Sequence, residues 1–329
     1  MPNGIDVWKF VESFRQARII LTAVELGIFE AIGRGAKTAK FVAEQKECSE
    51  RGITFLLDAL SSFGILKKRA KTYSIEKDLQ TALSPFAEDS ILPILKHAAN
   101  MWQKWHHLTQ VVKTGRPAVE PNIRNRAKSD TLAFIGAMHA IGTGLAGSIV
   151  RDCKVIDKAK RILDIGGASG TYTIAFLKKY KNLSATIFDL PDVIPLAKGR
   201  IEKAGLNDRV NFCEGDFEFD DLPCGYDAAL LFAIIHQNSR EENRILFKKV
   251  FDALTPHGIL LLRDHVMNKD RTSPRLGAVF AINMLVATNG GGTYTFDEIK
   301  DDLASADFSG IKMIRKGDYM DCIIKACKK

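Results

Sequence analysis

The sequence predicts an α/β protein in which a parallel, doubly wound sheet follows a mostly helical N-terminal region. Three observations support this fold class. Strand and helix patterns alternate from residue 161 onward, a glycine-rich turn follows the first of these strands at residues 166–170, and the next strand ends in Asp189. Such alternation is typical of parallel sheets. A glycine turn followed about twenty residues later by an acid predicts a nucleotide-type pocket at the carboxyl edge of the sheet.

The chain has 329 residues, a length that favours two domains. We expect an N-terminal domain at residues 1–100, a helical linker that contributes to the substrate pocket at 101–150, and the sheet domain at 151–329. No apolar run approaches the ~18–20 residues of a membrane span. The start, Met-Pro-Asn-Gly-Ile-Asp, has no signal-peptide character. We therefore expect no membrane partner and a cytoplasmic location.

The cysteine spacing excludes the common zinc and disulfide frameworks. None of the 6 cysteines forms a Cys-x-x-Cys pair, so we expect no metal and reduced thiols. The net charge of +8 is compatible with a nucleic-acid partner, but the basic residues are spread along the whole chain. We interpret the excess charge as a contribution to solubility.

The N-terminal region reads as helix, helix and hairpin. Residues 8–32 carry apolar side chains at helical spacing, which predicts burial against a partner subunit or against the same domain. Two shorter helices are predicted at 38–45 and 49–63, and Gly64 then precedes a hairpin at 65–75. This order is a winged-helix arrangement.

The second short helix argues against DNA binding. A recognition helix needs Arg, Lys, Asn or Gln side chains that face base edges. The helix that starts after its N-cap, Ser49, offers only Arg51 among mostly apolar residues. We therefore expect no nucleic-acid partner and interpret the basic residues at 67–71 as a solvated turn.

Residues 92–150 read as mostly helical, with a break at 115–117. The strands of the sheet domain are predicted near 161–166, 185–189, 210–215, 227–235 and 258–265. The final segment, 311–325, contains two strands joined at residues 316–318, a link too short for a parallel crossover. The last strand must therefore run antiparallel to its neighbour.

The glycine turn limits which ligand fits. Its spacing, Asp164-x-Gly166-x-x-x-Gly170, matches neither the dinucleotide fingerprint nor a phosphate-binding loop nor a nucleophile elbow. It allows the backbone to approach a ligand without phosphates, and S-adenosylmethionine is such a ligand. A purely structural tight turn is the alternative, and the acid at Asp189 favours the cofactor.

Taken together, these residues resemble the O-methyltransferases of the caffeate and hydroxyindole type. These are homodimers with a winged-helix dimerisation domain before a Rossmann-like methyltransferase sheet, parallel with an antiparallel C-terminal hairpin strand. The matching segments are 23–31, 56–66 with Tyr73, 105–117, the glycine turn, 188–191, 215–217 and Asp227 leading to His236.

The resemblance implies S-adenosylmethionine as cofactor and a set of residues that bind it. Asp189 would take both ribose hydroxyls through its two oxygens. Asp216 and Phe217 would meet the adenine, and for Asp216 a loop cap is the alternative. The implied cofactor-binding residues are Asp164, Gly166, Gly167, Gly170, Asp189, Leu190, Asp216, Phe217 and Phe232.

The resemblance also implies a catalytic pair, His236 as general base and Asp264 as the acid that orients it. An imidazole with a pKa near ~6.5 is mostly free to accept a proton at neutral pH, while a phenol with a pKa near ~10 still carries one. For His236 the alternative is an ordinary satisfied histidine, and for Asp264 a pairing with Arg263 or His265.

The substrate side follows the family less closely. The resemblance implies that methionines clamp a flat acceptor, which assigns Phe134, Met138, Gln237 and Met284 to substrate binding; helix-core packing is the alternative for the methionines. Gln237-Asn238 stands where the family usually has Asp-Trp. Thr293 replaces a second acid, Tyr294 an arginine and Phe232 a lysine. These departures predict an acceptor other than the usual plant phenol.

The leading hypothesis is therefore methyl transfer from S-adenosylmethionine to a hydroxyl of an aromatic or conjugated small molecule, in a homodimer formed through the N-terminal domain. One alternative keeps the cofactor but changes the reaction to decarboxylation, hydroxylation or rearrangement. Another is a winged-helix regulator that senses the cofactor.

Overall fold

The computed structural model describes residues 7–87, 89–121 and 127–329. The first six residues, which led us to expect no leader, lie outside this part of the chain. The chain divides into two compact units, one of Met1–Gln103 with Leu132–Ala140 and one of Lys104–Thr131 with Ile141–Lys329. The domain boundaries at 100 and 150 stay a prediction.

The N-terminal unit is mostly helical. Its helices, the last of which extends to the start of the second unit, are α1 (Val7–Glu25), α2 (Ile28–Ile32), α3 (Ala39–Gln45), α4 (Glu50–Ser62) and α5 (Leu92–Trp105). The sequence pattern ran through residues 8–32 almost without a break. The structure instead ends α1 before Gly27, whose φ of +64° turns the backbone out of the helix and starts α2.

A small antiparallel sheet completes the predicted helix, helix and hairpin order. Its strands are β1 (Lys37–Thr38), β2 (Leu66–Arg69) and β3 (Thr72–Ile75), in the order β1-β3-β2. Ser49 caps α4 as predicted. The carboxylate of Asp58 on α4 accepts hydrogen bonds from Lys68 at 2.6 Å and from the Tyr73 hydroxyl at 2.7 Å. One lysine of the basic turn is therefore tied to its own domain.

Two further helices follow, α6 (Leu108–Thr114), which belongs to the second unit, and α7 (Lys128–Asp152), whose residues 132–140 belong to the first unit. By length and composition α7 could cross a membrane, with a mean hydropathy of 1.5 and 33% of its apolar window buried. The prediction concerned uninterrupted apolar runs, and polar residues such as His139 and Thr143 interrupt this helix. A single helix of this kind is weak support for a membrane span, because core helices of globular proteins have the same composition.

The second unit is built on a seven-stranded sheet. Its strands are β4 (Arg161–Ile165), β5 (Ser184–Asp189), β6 (Val210–Glu214), β7 (Tyr226–Phe232), β8 (Leu254–Asp264), β11 (Ser309–Arg315) and β12 (Cys322–Cys327). Its helices are α8 (Thr171–Lys179), α9 (Ile194–Lys203), α10 (Arg240–Ala253), α11 (Arg275–Ala287) and α12 (Phe296–Ser305). A short parallel pair joins β9 (Val266–Met267) to β10 (Tyr294–Thr295).

The strand order is β11-β12-β8-β7-β4-β5-β6. The five strands from β6 to β8 pair in parallel, β12 runs antiparallel to β8, and β11 runs antiparallel to β12. This confirms the predicted fold class. Apolar residues of the strands fill a separate core on each face of the sheet, the pattern expected when helices cover both faces.

Two details of the sheet differ from the prediction. Strand β7 ends at Phe232 rather than near residue 235, because Ala233 adopts a φ of +58° and turns the chain away from the sheet. His236 therefore lies on the short 3₁₀ turn Ile235–Gln237 and not at the end of the strand. At the C-terminus, β11 ends at Arg315 and β12 begins at Cys322, so the link is longer than residues 316–318.

Candidate active site

The glycine turn lies at the switch point of the sheet, directly after β4. The Gly166 amide donates to the carbonyl of Phe188 at 2.8 Å, and Gly166 has a φ of +63°. A Cβ at Gly166 would lie 2.5 Å from Cδ1 of Ile234, and one at Gly167 would lie 2.9 Å from Cγ2 of Ile187. Only glycine fits at these two positions, so the turn is a cradle lined by backbone.

Asp189 is oriented by the same turn. Its Oδ2 accepts from the Ala168 amide at 2.7 Å, and its Oδ1 accepts from the Leu190 amide at 2.8 Å. Each carboxylate oxygen has a second lone pair, so two further donors can still bind. Burial raises the pKa of Asp189 to about 6 against the opposing effect of the two amides. Two adjacent hydroxyl groups of a ribose would suit this carboxylate.

Asp164 lies beneath the turn and has an internal partner. Its buried carboxylate accepts from the Thr173 hydroxyl on α8 at 2.6 Å. Burial raises the pKa of Asp164 to about 7, although the Thr173 hydrogen bond acts in the opposite direction. The contact ties the end of β4 to the first turns of α8. A direct role in cofactor binding stays a prediction.

Asp216 and Phe217 follow β6 on the next loop. The Oδ1 of Asp216 accepts from the Glu218 amide at 3.0 Å, which is the loop cap considered as the alternative for this residue. Phe217 packs against the core on one side of the sheet. A Cβ at Gly166 would lie 3.9 Å from Cε1 of Phe217, so this ring borders the glycine turn.

His236 and Asp264 form a hydrogen-bonded pair. Nδ1 of His236 lies 2.9 Å from Oδ2 and 3.0 Å from Oδ1 of Asp264. If Nδ1 carries the proton, as the acceptor-only carboxylate requires, Nε2 has a free lone pair. In the described part of the chain Nε2 makes no hydrogen bond, and 13% of the histidine side chain is exposed.

Asp264 stays ionised despite being fully buried. Burial opposes its charge, but the neighbouring His236 and the His265 amide, which donates to Oδ1 at 2.8 Å, hold the pKa of Asp264 below its usual range. The pairing with Arg263, considered as an alternative, does not occur, while the His265 contact adds to the His236 bond. A buried carboxylate of this kind fixes the imidazole tautomer and stabilises its protonated form.

Phe280 is a site residue that the sequence did not indicate. Its ring meets the His236 ring edge-on, with centroids 4.9 Å apart, and lies 5.0 Å from the His265 ring. Met284 follows one turn later on α11 and is buried. The spacing of four residues to Met284 was the available signal, since side chains four apart share a helix face.

The residues near His236 that differ from the usual family pattern, Gln237, Thr293 and Tyr294, are neutral. The Gly292 amide donates to the carbonyl of His236 at 2.8 Å, and Thr293, the next residue along the chain, is buried. Tyr294 donates its hydroxyl to the carbonyl of Asn238, and burial raises the pKa of Tyr294 to about 12. The side-chain amide of Gln237 has no hydrogen-bond partner among the described residues, while its backbone amide donates to the carbonyl of Ile234 at 3.0 Å.

The remaining predicted residues are placed as follows. Phe134 and Met138 lie on the part of α7 that belongs to the N-terminal unit, where the Phe134 ring packs on His97 with centroids 5.3 Å apart. Phe232 is buried, and its ring meets Tyr172 edge-on at 5.1 Å. Among the residues described, no group of three or more His, Cys, Asp or Glu is arranged to hold a metal ion.

Comparison with known proteins places these features in context. The family model described as the O-methyltransferase domain matches residues 105–309, and the model for the O-methyltransferase dimerisation domain matches residues 8–78. The chain is 29% identical over 306 residues to a 3-hydroxy-5-methyl-1-naphthoate 3-O-methyltransferase of Streptomyces sahachiroi, covering 91% of this chain and 88% of that protein.

A second relative is acetylserotonin O-methyltransferase of Gallus gallus, which is 26% identical over 335 residues and matches 97% of this chain and 96% of its own length. Among solved structures, human N-acetylserotonin methyltransferase in complex with SAM matches 100% of this chain and 99% of that chain. Its TM-score is 0.83 at 22% identity. At that identity the structural match establishes the fold.

The glycine cradle generates the first prediction. Gly166→Ala should lower the free energy of unfolding by about 1–3 kcal/mol, because the new methyl group meets Ile234 and the positive φ strains any residue with a Cβ. Gly199→Ala is the matched control, since Gly199 lies within α9 with open space around it. This control should stabilise the protein by about 0.5–1 kcal/mol. Urea unfolding of both variants measures the difference, and equal effects would contradict the assignment.

Proposed function

The chain belongs to the S-adenosylmethionine-dependent O-methyltransferases, and from that premise we propose that its acceptor is a hydroxyl of an aromatic or conjugated small molecule and that His236 removes the hydroxyl proton. The observation that supports this proposal is the His236–Asp264 pair. It stands at the same carboxyl edge of the sheet as the glycine cradle, with Nε2 of the imidazole unbonded in the described residues.

The residues around the cradle suit S-adenosylmethionine. Gly166, Gly167 and Gly170 allow its approach to the backbone, and Asp189 has two free lone pairs for the ribose hydroxyls. Phe217, which borders the turn, would contact the adenine. Leu190 follows Asp189 directly and Asp216 precedes Phe217 directly, so both residues lie beside the proposed cofactor contacts. When bound, the cofactor supplies a methyl group on a positively charged sulfur.

The base works by a proton transfer that Asp264 favours. The acceptor hydroxyl gives its proton to Nε2 of His236, and the resulting imidazolium is stabilised by the buried carboxylate at Nδ1. The oxygen that has lost its proton is then the nucleophile. Because opposite charges on oxygen and sulfur neutralise each other during transfer, an apolar surrounding such as that of Phe280 and Met284 suits the reaction.

Two observations support an aromatic acceptor: the substrates for which the relatives are named, and the uncharged side chains near His236. The Streptomyces relative is named for a hydroxylated naphthoate and the Gallus relative for acetylserotonin, both of them aromatic. Gln237, Phe280, Met284 and Thr293 offer this chain's acceptor mainly apolar and uncharged contacts. Phe134 and Met138 stay proposed members of the acceptor pocket.

Removing the imidazole tests the proposal. His236→Gln should lower turnover by about a hundred- to ten-thousandfold, the usual effect of losing a general base. Its affinity for S-adenosylhomocysteine in calorimetry should stay within about twofold, since the cradle is unchanged. Incubation with labelled cofactor and a panel of naphthols and hydroxynaphthoates measures turnover. Unchanged turnover would remove the base assignment, and label in no product would favour a different reaction.

Asp189 predicts a pH-dependent cofactor affinity. The carboxyl group accepts from two ribose hydroxyls only when it is ionised, and burial raises its pKa from 3.8 to about 6. Affinity for S-adenosylhomocysteine should therefore fall as the pH drops through about 6. Without ligand, the free energy of unfolding should rise as the pH falls from about 6 to 4. Over this range the folded chain holds the proton of Asp189 while the unfolded chain does not.

Calorimetry between about pH 5 and 8 measures this step. Asp189→Asn should remove it, whereas Asp164→Asn and His236→Gln should both retain it, because their groups do not bind the ribose. A step that survives in Asp189→Asn and disappears in His236→Gln would assign the titration to the imidazole instead.

We further infer a cytoplasmic homodimer formed through the N-terminal domain. The first turns of α1 expose Val7, Trp8, Val11 and Phe14, and a groove of about 550 Å³ beside α4 is lined by apolar residues that include Leu26 and Phe55. Exposed apolar residues of this size are typical of a protein interface. All six cysteines are free thiols, which suits a reducing compartment.

Phe14→Ser tests the dimer. Phe14 is 50% exposed on α1, and losing its apolar area should shift the protein toward monomers at about micromolar concentration. Phe86→Ser is the matched control, because Phe86 is 95% exposed but lies outside the dimerisation-domain match at 8–78. Sedimentation velocity measures both variants. A Phe14 variant that sediments like the wild type would place the interface elsewhere.

A further inference from the structure

Arg263 is a buried cation without a matching anion. Only 6% of its surface is exposed, yet it forms no ion pair in the described part of the chain. Its Nη1 donates to the carbonyl of Met320 at 2.6 Å, while Nε is buried and has no partner among the residues that the structure describes. Buried charges are normally paired, because an unpaired charge loses its hydration without compensation.

The acids near Arg263 are already bound to other groups. Asp264, the next residue, lies on the opposite face of β8, where it binds His236 and the His265 amide. Asp164 accepts from Thr173, and Asp321 binds Arg315 at 2.8 Å. No carboxylate among the described residues therefore accepts a hydrogen bond from the guanidinium of Arg263.

Arg263 lies near the end of its strand, which places its guanidinium N–H groups at the crevice beside the glycine turn. It is paired in register with Phe232, the last residue of β7, at the carboxyl edge of the sheet. Its Cζ lies 4.9 Å from the centre of the Tyr172 ring and 5.6 Å from that of Phe232. Tyr172 is the second residue of α8, directly after the glycine turn, and its buried hydroxyl also has no partner within the described ranges.

The rings hold the guanidinium but do not neutralise it. Stacking on aromatic faces orients a cation and stabilises it weakly, whereas a planar guanidinium binds a carboxylate through two parallel hydrogen bonds. The side chain is thus oriented in advance at the edge of the glycine turn for an anion that arrives with a ligand.

We propose that Arg263 is a carboxylate-binding residue of the crevice, and that its ligand is the carboxylate of the methionine tail of S-adenosylmethionine. The inference rests on the proposed function, because it requires the cofactor to bind at the glycine turn. A carboxylate on the acceptor has the same chemistry and is the other source of such a ligand.

The test compares S-adenosylmethionine with its decarboxylated form, which lacks only this group. By calorimetry, the wild type should bind S-adenosylmethionine roughly ten- to a hundredfold more tightly, the usual effect of a charge-assisted hydrogen-bond pair. Arg263→Met should lose most of this preference by weakening S-adenosylmethionine alone, and Arg263→Lys should keep part of it. Arg244→Met, which removes an arginine already paired with Asp302 at 2.7 Å, should keep the full preference.

A second arm identifies the source of the carboxylate. Michaelis constants for a hydroxynaphthoate and for the matching naphthol are measured in the wild type and in Arg263→Met. If the variant loses a preference for the naphthoate while cofactor discrimination is unchanged, Arg263 binds a carboxylate that the acceptor carries.

The inference is overturned if the wild type discriminates neither pair of ligands, a result that needs no variant to fold. It is also overturned if Arg263→Met retains its native melting temperature and both discriminations. Failure of the wild type to bind S-adenosylmethionine at all would instead overturn the proposed function.

Discussion

The parallel register of β4, β7 and β8 is the constraint on which the candidate site depends. Because β4 pairs with β5 on one side and with β7 on the other, the connections after these strands leave in opposite directions and open a crevice at their carboxyl ends. Pairing of β7 with β8 then brings the turn that carries His236 next to Asp264. The turn after β7 and the end of β8 thus supply the two partners of the His236–Asp264 hydrogen bond.

Three carboxyl groups of the crevice, those of Asp164, Asp189 and Asp264, have different environments. Asp189 and Asp164 have raised pKa values because burial outweighs their hydrogen bonds to neutral donors. The pKa of Asp264 is lowered instead, because an imidazole beside it can take up positive charge. The pKa shifts of these acids thus run in opposite directions, upward for the two acids beside the glycine turn and downward for the acid beside the imidazole.

Several side chains around His236 are neutral. Thr293 and Gln237 carry no charge, and Phe280 lies between the His236 and His265 rings. The buried His265 has its pKa lowered by burial, which outweighs the attraction of Asp264. Asp264 consequently acts mainly on one imidazole, that of His236.

The sequence by itself determined the features that spacing encodes: the alternating strands and helices, the glycine turn after β4, Asp189 and Asp264 at strand ends, and the antiparallel C-terminal hairpin. These are local patterns, because side-chain periodicity and turn residues depend on neighbours along the chain. The tertiary structure decided what distant segments do together. Packing between elements far apart in sequence produces the turn at Ala233 and the contact of Phe280 with His236. It also leaves Arg263 without an acidic partner among the described residues. No spacing rule specifies such contacts.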